Sequence, residues 1–214
     1  MVGTAIAGKY RVDRMIGEGG FGVVYAGFHQ VVGNAVAIKL MKPMGGPDDR
    51  ARSADAFLRE ARVLFDLAHP AIVRLYDVGV TPTRLGEVPY VVLELIAGTS
   101  LAEEVRRRQR AEAPPFSAHE VFAIFDSVLD GLAVAHARGV VHRDLKPSNV
   151  MLTRGASGAV TAKILDFGTA RAGAPAASGV PASFTPLYAA PEQWDARFGP
   201  TGAATDVFAV GVVL

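Results

Sequence analysis

Cysteine is absent from the 214 residues, which excludes disulfides, thiolate metal sites and cysteine nucleophiles and fits a reducing, cytoplasmic setting. Long apolar runs are missing too. A membrane-spanning helix needs about 18 or more apolar residues in a row, whereas Val88 to Ala97 is broken by Glu94 and the apolar C-terminal tail is preceded by Asp206. The first residues, MVGTAIAGKYRVDR, hold no basic segment leading into an apolar stretch, so no secretory signal and no membrane span are expected. An excess of either charge is also lacking: 22 Lys and Arg stand against 21 Asp and Glu, a net charge of +1. Nothing in that balance draws the chain to nucleic acid or to anionic lipid, so partner choice has to come from a local site built from oxygen and nitrogen groups. What is present is a half-apolar chain long enough to bury a core in one or two domains.

Short β-rich runs separated by glycines, Val12 to Ile16, Val23 to Phe28 and Ala35 to Leu40, predict a three-stranded antiparallel meander. Phe57, Ala61, Leu64 and Ala68 recur at helical spacing, which predicts a helix over Ser53 to Ala68 that ends before His69-Pro70. Ile72 to Val78 and Tyr90 to Leu95 add two strands to the sheet, and Ala97-Gly98-Thr99 breaks the pattern, placing a domain boundary between residues 1–96 and 97–214. Beyond it the chain turns mainly helical. Ser100 with Glu103 and Ser117 with Glu120 are capping boxes. The helix after Ser117 carries Val121, Ile124, Phe125, Val128, Leu132 and Ala135 on one face and stops at Gly139. Ala172 to Ser183 has no period and is expected to be a loop.

Five groups of residues carry chemistry. Gly17-Glu18-Gly19-Gly20-Phe21-Gly22, with Val24 after it, lies between two predicted strands, not between a strand and a helix as a dinucleotide fingerprint would. Glycines let backbone N–H groups approach phosphate oxygens, although such a string alone also suits a plain hairpin. Val36-Ala37-Ile38-Lys39 puts a lysine on an apolar strand, where it needs an anion; Glu60, one helical turn from Leu64, is suited to pair with it if that helix packs on the sheet. Taken singly, the two read as a surface lysine and a solvated glutamate. The most specific string is Val141-His142-Arg143-Asp144-Leu145-Lys146-Pro147-Ser148-Asn149. Asp166-Phe167-Gly168 follows the apolar pair Ile164-Leu165, and a carboxylate there suits magnesium, a hard ion that takes oxygen ligands. Last come Thr185-Pro186-Leu187-Tyr188-Ala189-Ala190-Pro191-Glu192 and, further on, Asp206 with Phe208 and Gly211.

In this order, from about Tyr10 to Leu214, these motifs resemble the catalytic domain of eukaryotic-like Ser/Thr protein kinases. The resemblance implies an α+β fold: an N-lobe of small antiparallel sheet with one helix, then a mainly helical, incomplete C-lobe. It implies Mg-ATP as cofactor, with manganese as a substitute, and transfer of the γ-phosphate to Ser or Thr of a protein substrate. On this resemblance Asp144 accepts the substrate hydroxyl proton, Lys146 stabilises γ-phosphate charge, Lys39 paired with Glu60 orients the α- and β-phosphates, and Asn149 and Asp166 hold the metal. The glycine loop from Gly17 to Gly22 covers the phosphates. Val24, Ala37 and Met151 sandwich the adenine ring, Leu93 is the gatekeeper, and Glu94 and Ile96 make backbone contacts to the base. Arg143 beside Asp144 implies control by phosphorylation at Ser178, Ser183 or Thr185, with Thr185 placed rather to position the acceptor. The family has glycine where this chain has Phe184, and Trp is frequent where it has Phe208.

Two other readings stay open beside the kinase. The chain ends inside the family's central C-lobe helix, so a truncated nucleotide-binding or scaffolding module is one, and Glu192 is then expected to lack its usual arginine partner. A small-molecule kinase of related fold is the other; Lys146-Pro147 and Tyr188 to Glu192 favour a protein substrate. Arg106-Arg107-Arg108 with Arg110 reads as a solvated helix face, not a nucleic-acid site, and the histidines show no metal-ligand spacing.

Overall fold

The computed structural model describes residues 1–20, 22–42, 54, 57–59, 61–83, 86–154, 159–167 and 184–214. They fall into two compact units, one within Met1–Asp66 and Arg74–Leu95, the other within Leu67–Val73, Ile96–Ala170 and Gly179–Leu214.

The first unit is an antiparallel sheet of β1 (Ala5–Ile6), β2 (Tyr10–Glu18), β3 (Gly22–His29), β4 (Ala35–Met41), β5 (Leu75–Thr83) and β6 (Gly86–Glu94), in the order β1-β2-β3-β4-β6-β5. Side chains alternate along a strand, so β4 sends Val36, Ile38 and Leu40 to one face and Ala37 and Lys39 to the other. The first set joins Ile6, Tyr10, Val12, Val88, Tyr90 and Val92 in a core cluster. Full burial of each aliphatic side chain there stabilises by roughly 1.5–3 kcal/mol. On the opposite face Leu75 and Val91 pack on Phe57 and Ala61 of helix α1, described at residues 54, 57–59 and 61–65.

Strand ends shift from the sequence expectation, β2 spanning Tyr10–Glu18 and β6 beginning at Gly86 instead of Tyr90, and two further boundaries shift for a visible reason. Helix α1 ends at residue 65, not at Ala68, and Leu67 is buried in the second unit instead of continuing the helix. Strand β5 starts at Leu75 because Ile72 makes a parallel bridge with Ile164 and Val73 donates its N–H to Ile164 O, both inside the second unit. Strand β1, two residues long, carries too little pattern to be read from sequence.

The second unit holds α2 (Leu101–Arg110), α3 (Ala118–His136), α4 (Pro191–Trp194), α5 (Ala203–Val213) and a small sheet of β7 (Thr99–Ser100), β8 (Val150–Arg154) and β9 (Val160–Ile164), in the order β7-β8-β9. Both capping boxes form: Ser100 accepts the Glu103 N–H while the Glu103 carboxylate accepts the Ser100 N–H, and Ser117 and Glu120 do the same. A cap of this kind is worth about 1 kcal/mol. Ile124, Phe125, Val128, Leu132 and Ala135 form the buried stripe of α3, with Val121 only half-buried at its edge. Gly139 closes the segment at φ +71°, a conformation that suits glycine. Among the described residues no helix is long and apolar enough to cross a membrane.

Candidate active site

In the first unit, the turn between β2 and β3 is closed by the Gly19 N–H on Gly22 O at 2.9 Å. A Cβ at Gly22 would lie 2.3 Å from Leu40 O, so packing against β4 demands glycine there. At Gly17, Gly19 and Gly20 a Cβ would meet nothing within 4 Å. No packing demands glycine at those three, and their bare backbone leaves open the space that a side chain would otherwise fill. Glu18 forms an ion pair with Lys42 at 2.9 Å. Phe21 and Glu60 lie outside the described residues.

Strand register assembles the rest of this half. Val24 stands opposite Lys39, Lys39 opposite Val91 and Ala37 opposite Leu93, so all five project from one sheet face. Lys39 is 7 % exposed, an unusual place for an ammonium group in the absence of function or compensating charge. The Glu94 N–H is committed to Arg74 O at 2.9 Å.

In the second unit, the residues following α3 converge on Asp144. Lys146 Nζ lies 2.6 Å from Asp144 Oδ2 and 2.7 Å from Thr185 Oγ1. Thr185 donates its N–H to Asp144 Oδ1 at 3.0 Å and its hydroxyl to the same oxygen at 2.8 Å. A threonine hydroxyl therefore sits between a carboxylate and an ammonium group. Asn149 donates Nδ2–H to Asp144 O at 2.9 Å, which turns its Oδ1 away from that bond.

The backbone of this loop is fixed from behind. Asp206, at the start of α5 and 0 % exposed, accepts the His142 N–H at 2.8 Å and the Arg143 N–H at 2.7 Å. His136, in the last turn of α3, reaches the same carboxylate with Nε2 at 2.7 Å; because the acceptor has no hydrogen to give, Nε2 carries it. His142 Nδ1 accepts the Asp144 N–H at 3.2 Å, so the proton lies on Nε2, which donates to Leu165 O at 2.7 Å. That tautomer makes His142 a neutral bracket under the loop, and its ring also packs on Phe167 at 5.0 Å. The Leu165 N–H returns to Asn149 O at 2.8 Å, one residue before Asp166. Arg143 at φ +66° and Asp166 at φ +56° are both left-handed, a strain that concentrates at functional sites.

Glu192 is not left without a partner: Thr205 donates its hydroxyl to Glu192 Oε1 at 2.6 Å. This replaces the unpartnered state expected from sequence, since a hydroxyl in the first turn of α5 can satisfy a carboxylate where an arginine was anticipated. Gln193 Nε2 donates to Arg143 O at 2.7 Å, a tie that no local pattern announces. Met151 on β8 and Ile96 are half-buried in this unit. Gly168, Ser178 and Ser183 lie outside the described residues.

The model of the protein kinase domain family matches residues 10–214. The chain is 37% identical over 209 residues to the serine/threonine-protein kinase Pkn1 of Myxococcus xanthus, an overlap of 96% of this chain and 28% of Pkn1. It is 35% identical over 213 residues to the probable serine/threonine-protein kinase PknB of Corynebacterium glutamicum, covering 98% of this chain and 31% of that protein. It thus spans less than a third of the length of these two relatives. The crystal structure of the Mycobacterium tuberculosis PknI kinase domain superposes with a TM-score of 0.73 at 28% identity, over 98% of this chain and 73% of that one.

Proposed function

This chain is a member of the protein kinase family, and from that premise we propose that it transfers the γ-phosphate of ATP to serine and threonine hydroxyls of protein substrates. The observation that carries the reading is the environment of the Thr185 hydroxyl, 2.8 Å from Asp144 Oδ1 and 2.7 Å from Lys146 Nζ. An acceptor hydroxyl has the same two needs: a carboxylate to take its proton and a cation to stabilise charge on the phosphoryl group it attacks. Asp144 is assigned the first role, Lys146 the second, and Thr185 the positioning of the acceptor. With both of its polar groups on Asp144, Thr185 is a weaker candidate for self-phosphorylation than Ser178 or Ser183.

The residues present fit a magnesium-nucleotide. Magnesium favours oxygen ligands, and Asp166 with Oδ1 of Asn149, whose Nδ2 is held by Asp144 O, supplies two of them in the second unit. Manganese takes the same donors. In the first unit the bare backbone of Gly17, Gly19 and Gly20 is assigned to phosphate, as is Lys39 with Glu60 orienting it. Val24, Ala37, Leu93 and the carbonyl of Glu94 are assigned to the base there, and Ile96 and Met151 in the second unit. Magnesium-ATP supplies the phosphoryl group and neutralises its oxygens; the chain positions it and handles one proton. Absence of cysteine and of a spanning helix among the described residues is compatible with cytoplasmic action.

Phosphoamino acid analysis of a protein substrate labelled from γ-labelled ATP tests the reading. Labelled phosphoserine and phosphothreonine that vanish with Lys39→Met are expected; label confined to small molecules, or unchanged by that substitution, would refute it. Equal ATP affinity with and without magnesium would refute the Asp166 assignment.

A further inference from the structure

A cavity of about 470 Å³ lies wholly within the second unit, between α2, the start of α3 and the β8–β9 pair, among residues to which the proposed phosphoryl transfer gives no role. Phe116, Ile124, Leu152 and Val160 supply its apolar lining. Arg107, Arg108 and Arg154 stand around them, with Glu104 and Glu120 as the acidic members.

The charges divide unequally. Glu104 accepts Nε and Nη2 of Arg107, both at 2.7 Å, and Nε of Arg108 at 3.1 Å. Glu120 accepts Arg108 and the Ser117 N–H. Both carboxylates are already fully engaged. Arg108, with its guanidinium 3.9 Å from the centre of the Phe116 ring, is a fixed wall rather than a mobile ion. Arg154 is exposed and has no ion pair among the described residues, and the Arg107 side chain is 64 % exposed. Three guanidinium groups against two carboxylates leave a net +1 around the cavity. A ligand that meets this surface needs an apolar group for the lining and an anion for Arg154 and the outer edge of Arg107. A simple phosphate would use only the second feature.

We propose that this cavity is a docking site for a peptide segment of a partner protein, one that places an aliphatic or aromatic anchor in the cavity and flanks it with carboxylates. The volume falls within the roughly 300–1,000 Å³ typical of ligand pockets. Charge complementarity selects acidic over basic segments and speeds their encounter. Docking here does not require phosphoryl transfer, so it is measured in the absence of nucleotide and stands or falls separately from the catalytic reading.

The test is selection of a phage-displayed random dodecapeptide library on the protein, followed by anisotropy titration of the enriched peptides in fluorescein-labelled form. The expected sequences combine Asp or Glu with a neighbouring Leu, Ile, Val or Phe. Their affinity should drop by about tenfold or more in Arg107→Glu/Arg154→Glu and severalfold in Arg154→Glu alone, which breaks no ion pair among the described residues and so separates lost binding from the stability lost with the Arg107–Glu104 pair. Replacing the anchor residue of the peptide by serine should weaken binding comparably. Enrichment of no such sequence, or binding indifferent to the double reversal, would overturn the proposal. So would binding that survives loss of the anchor, which would mark a general electrostatic surface. Association with phosphatidylglycerol vesicles that the same reversal abolishes, with no peptide selected, would assign the arginines to a lipid surface instead.

Discussion

Asp206 Oδ1 accepts the backbone N–H of Arg143 at 2.7 Å across 63 residues of sequence. The bond restrains a residue at φ +66° immediately before Asp144. A left-handed non-glycine residue costs on the order of 1–3 kcal/mol, and a hydrogen bond to a charged group contributes about 1.5–3 kcal/mol. Two such bonds, to His142 and Arg143, are enough to offset the strain, so the loop holds its conformation because α5 presents a buried carboxylate to it.

Asp206→Asn should therefore destabilise by about 2–4 kcal/mol, since an amide keeps one oxygen and turns an N–H toward a donor. Urea unfolding measures the loss. Phosphate transfer should fall as well, and His136→Ala, which removes the third partner of the carboxylate, should cost less than Asp206→Asn.

Thr185→Ala removes the hydroxyl shared by Asp144 and Lys146, while Thr185→Ser keeps it. Misplacement of a reacting group by about 1 Å can cost about a hundredfold in rate, so the alanine protein should lose up to that factor in kcat and the serine protein should recover most of it. Steady-state kinetics at saturating ATP distinguish the two. Equal rates for both variants would show that the hydroxyl has no part in transfer.

Much of this site was legible in the chain because its parts are short strings with fixed internal spacing. Asp144, Lys146 and Asn149 sit in one loop, and the capping boxes at Ser100 and Ser117 announce themselves by a glutamate three residues on. The pairings that cross the chain were not legible in that way. Thr205 with Glu192, His136 with Asp206 and Gln193 with Arg143 join residues 13, 70 and 50 positions apart, and nothing in a local period encodes such a partner. The β8–β9 hairpin is short and half-buried, so its alternation is weak. The parallel bridge of Ile72 to Ile164 overrode a strand propensity that pointed to an earlier start for β5.

The glycines of the β2–β3 turn should separate by function. Gly22→Ala forces a Cβ to 2.3 Å from Leu40 O and should destabilise the protein by about 1–3 kcal/mol, as overpacking does. Gly19→Ala meets nothing within 4 Å, so its melting temperature should stay near that of the parent while ATP affinity falls. Thermal melts paired with nucleotide titration check both; a Gly19→Ala protein that binds ATP normally would remove that residue from the phosphate site.

The junction of α2 and α3 should be sensitive to acid. Hydrogen bonds from Arg107 hold Glu104 down at about 2, and hydrogen bonds from Arg108, then from Ser117, hold Glu120 at about 2, both against a usual 4.5. A carboxylate depressed in the folded state adds stability that is complete above its unfolded value and is lost as pH falls toward the folded one, here from about 4.5 to about 2. Arg108→Met should lower the melting temperature near neutral pH, and the gap from the parent protein should close through that window. Raised salt should shrink it also, because these pairs lie near the surface.

The most direct test of the kinase reading compares the parent protein with Asp144→Asn in two readouts, magnesium-dependent ATP binding and transfer of γ-labelled phosphate to serine and threonine of a protein substrate. Loss of a general base costs about a hundredfold or more in rate. The account predicts transfer by the parent protein, and a loss of that size in Asp144→Asn with ATP affinity little changed. Transfer undiminished by Asp144→Asn, or a parent protein that binds Mg-ATP and labels no hydroxyl, would contradict it.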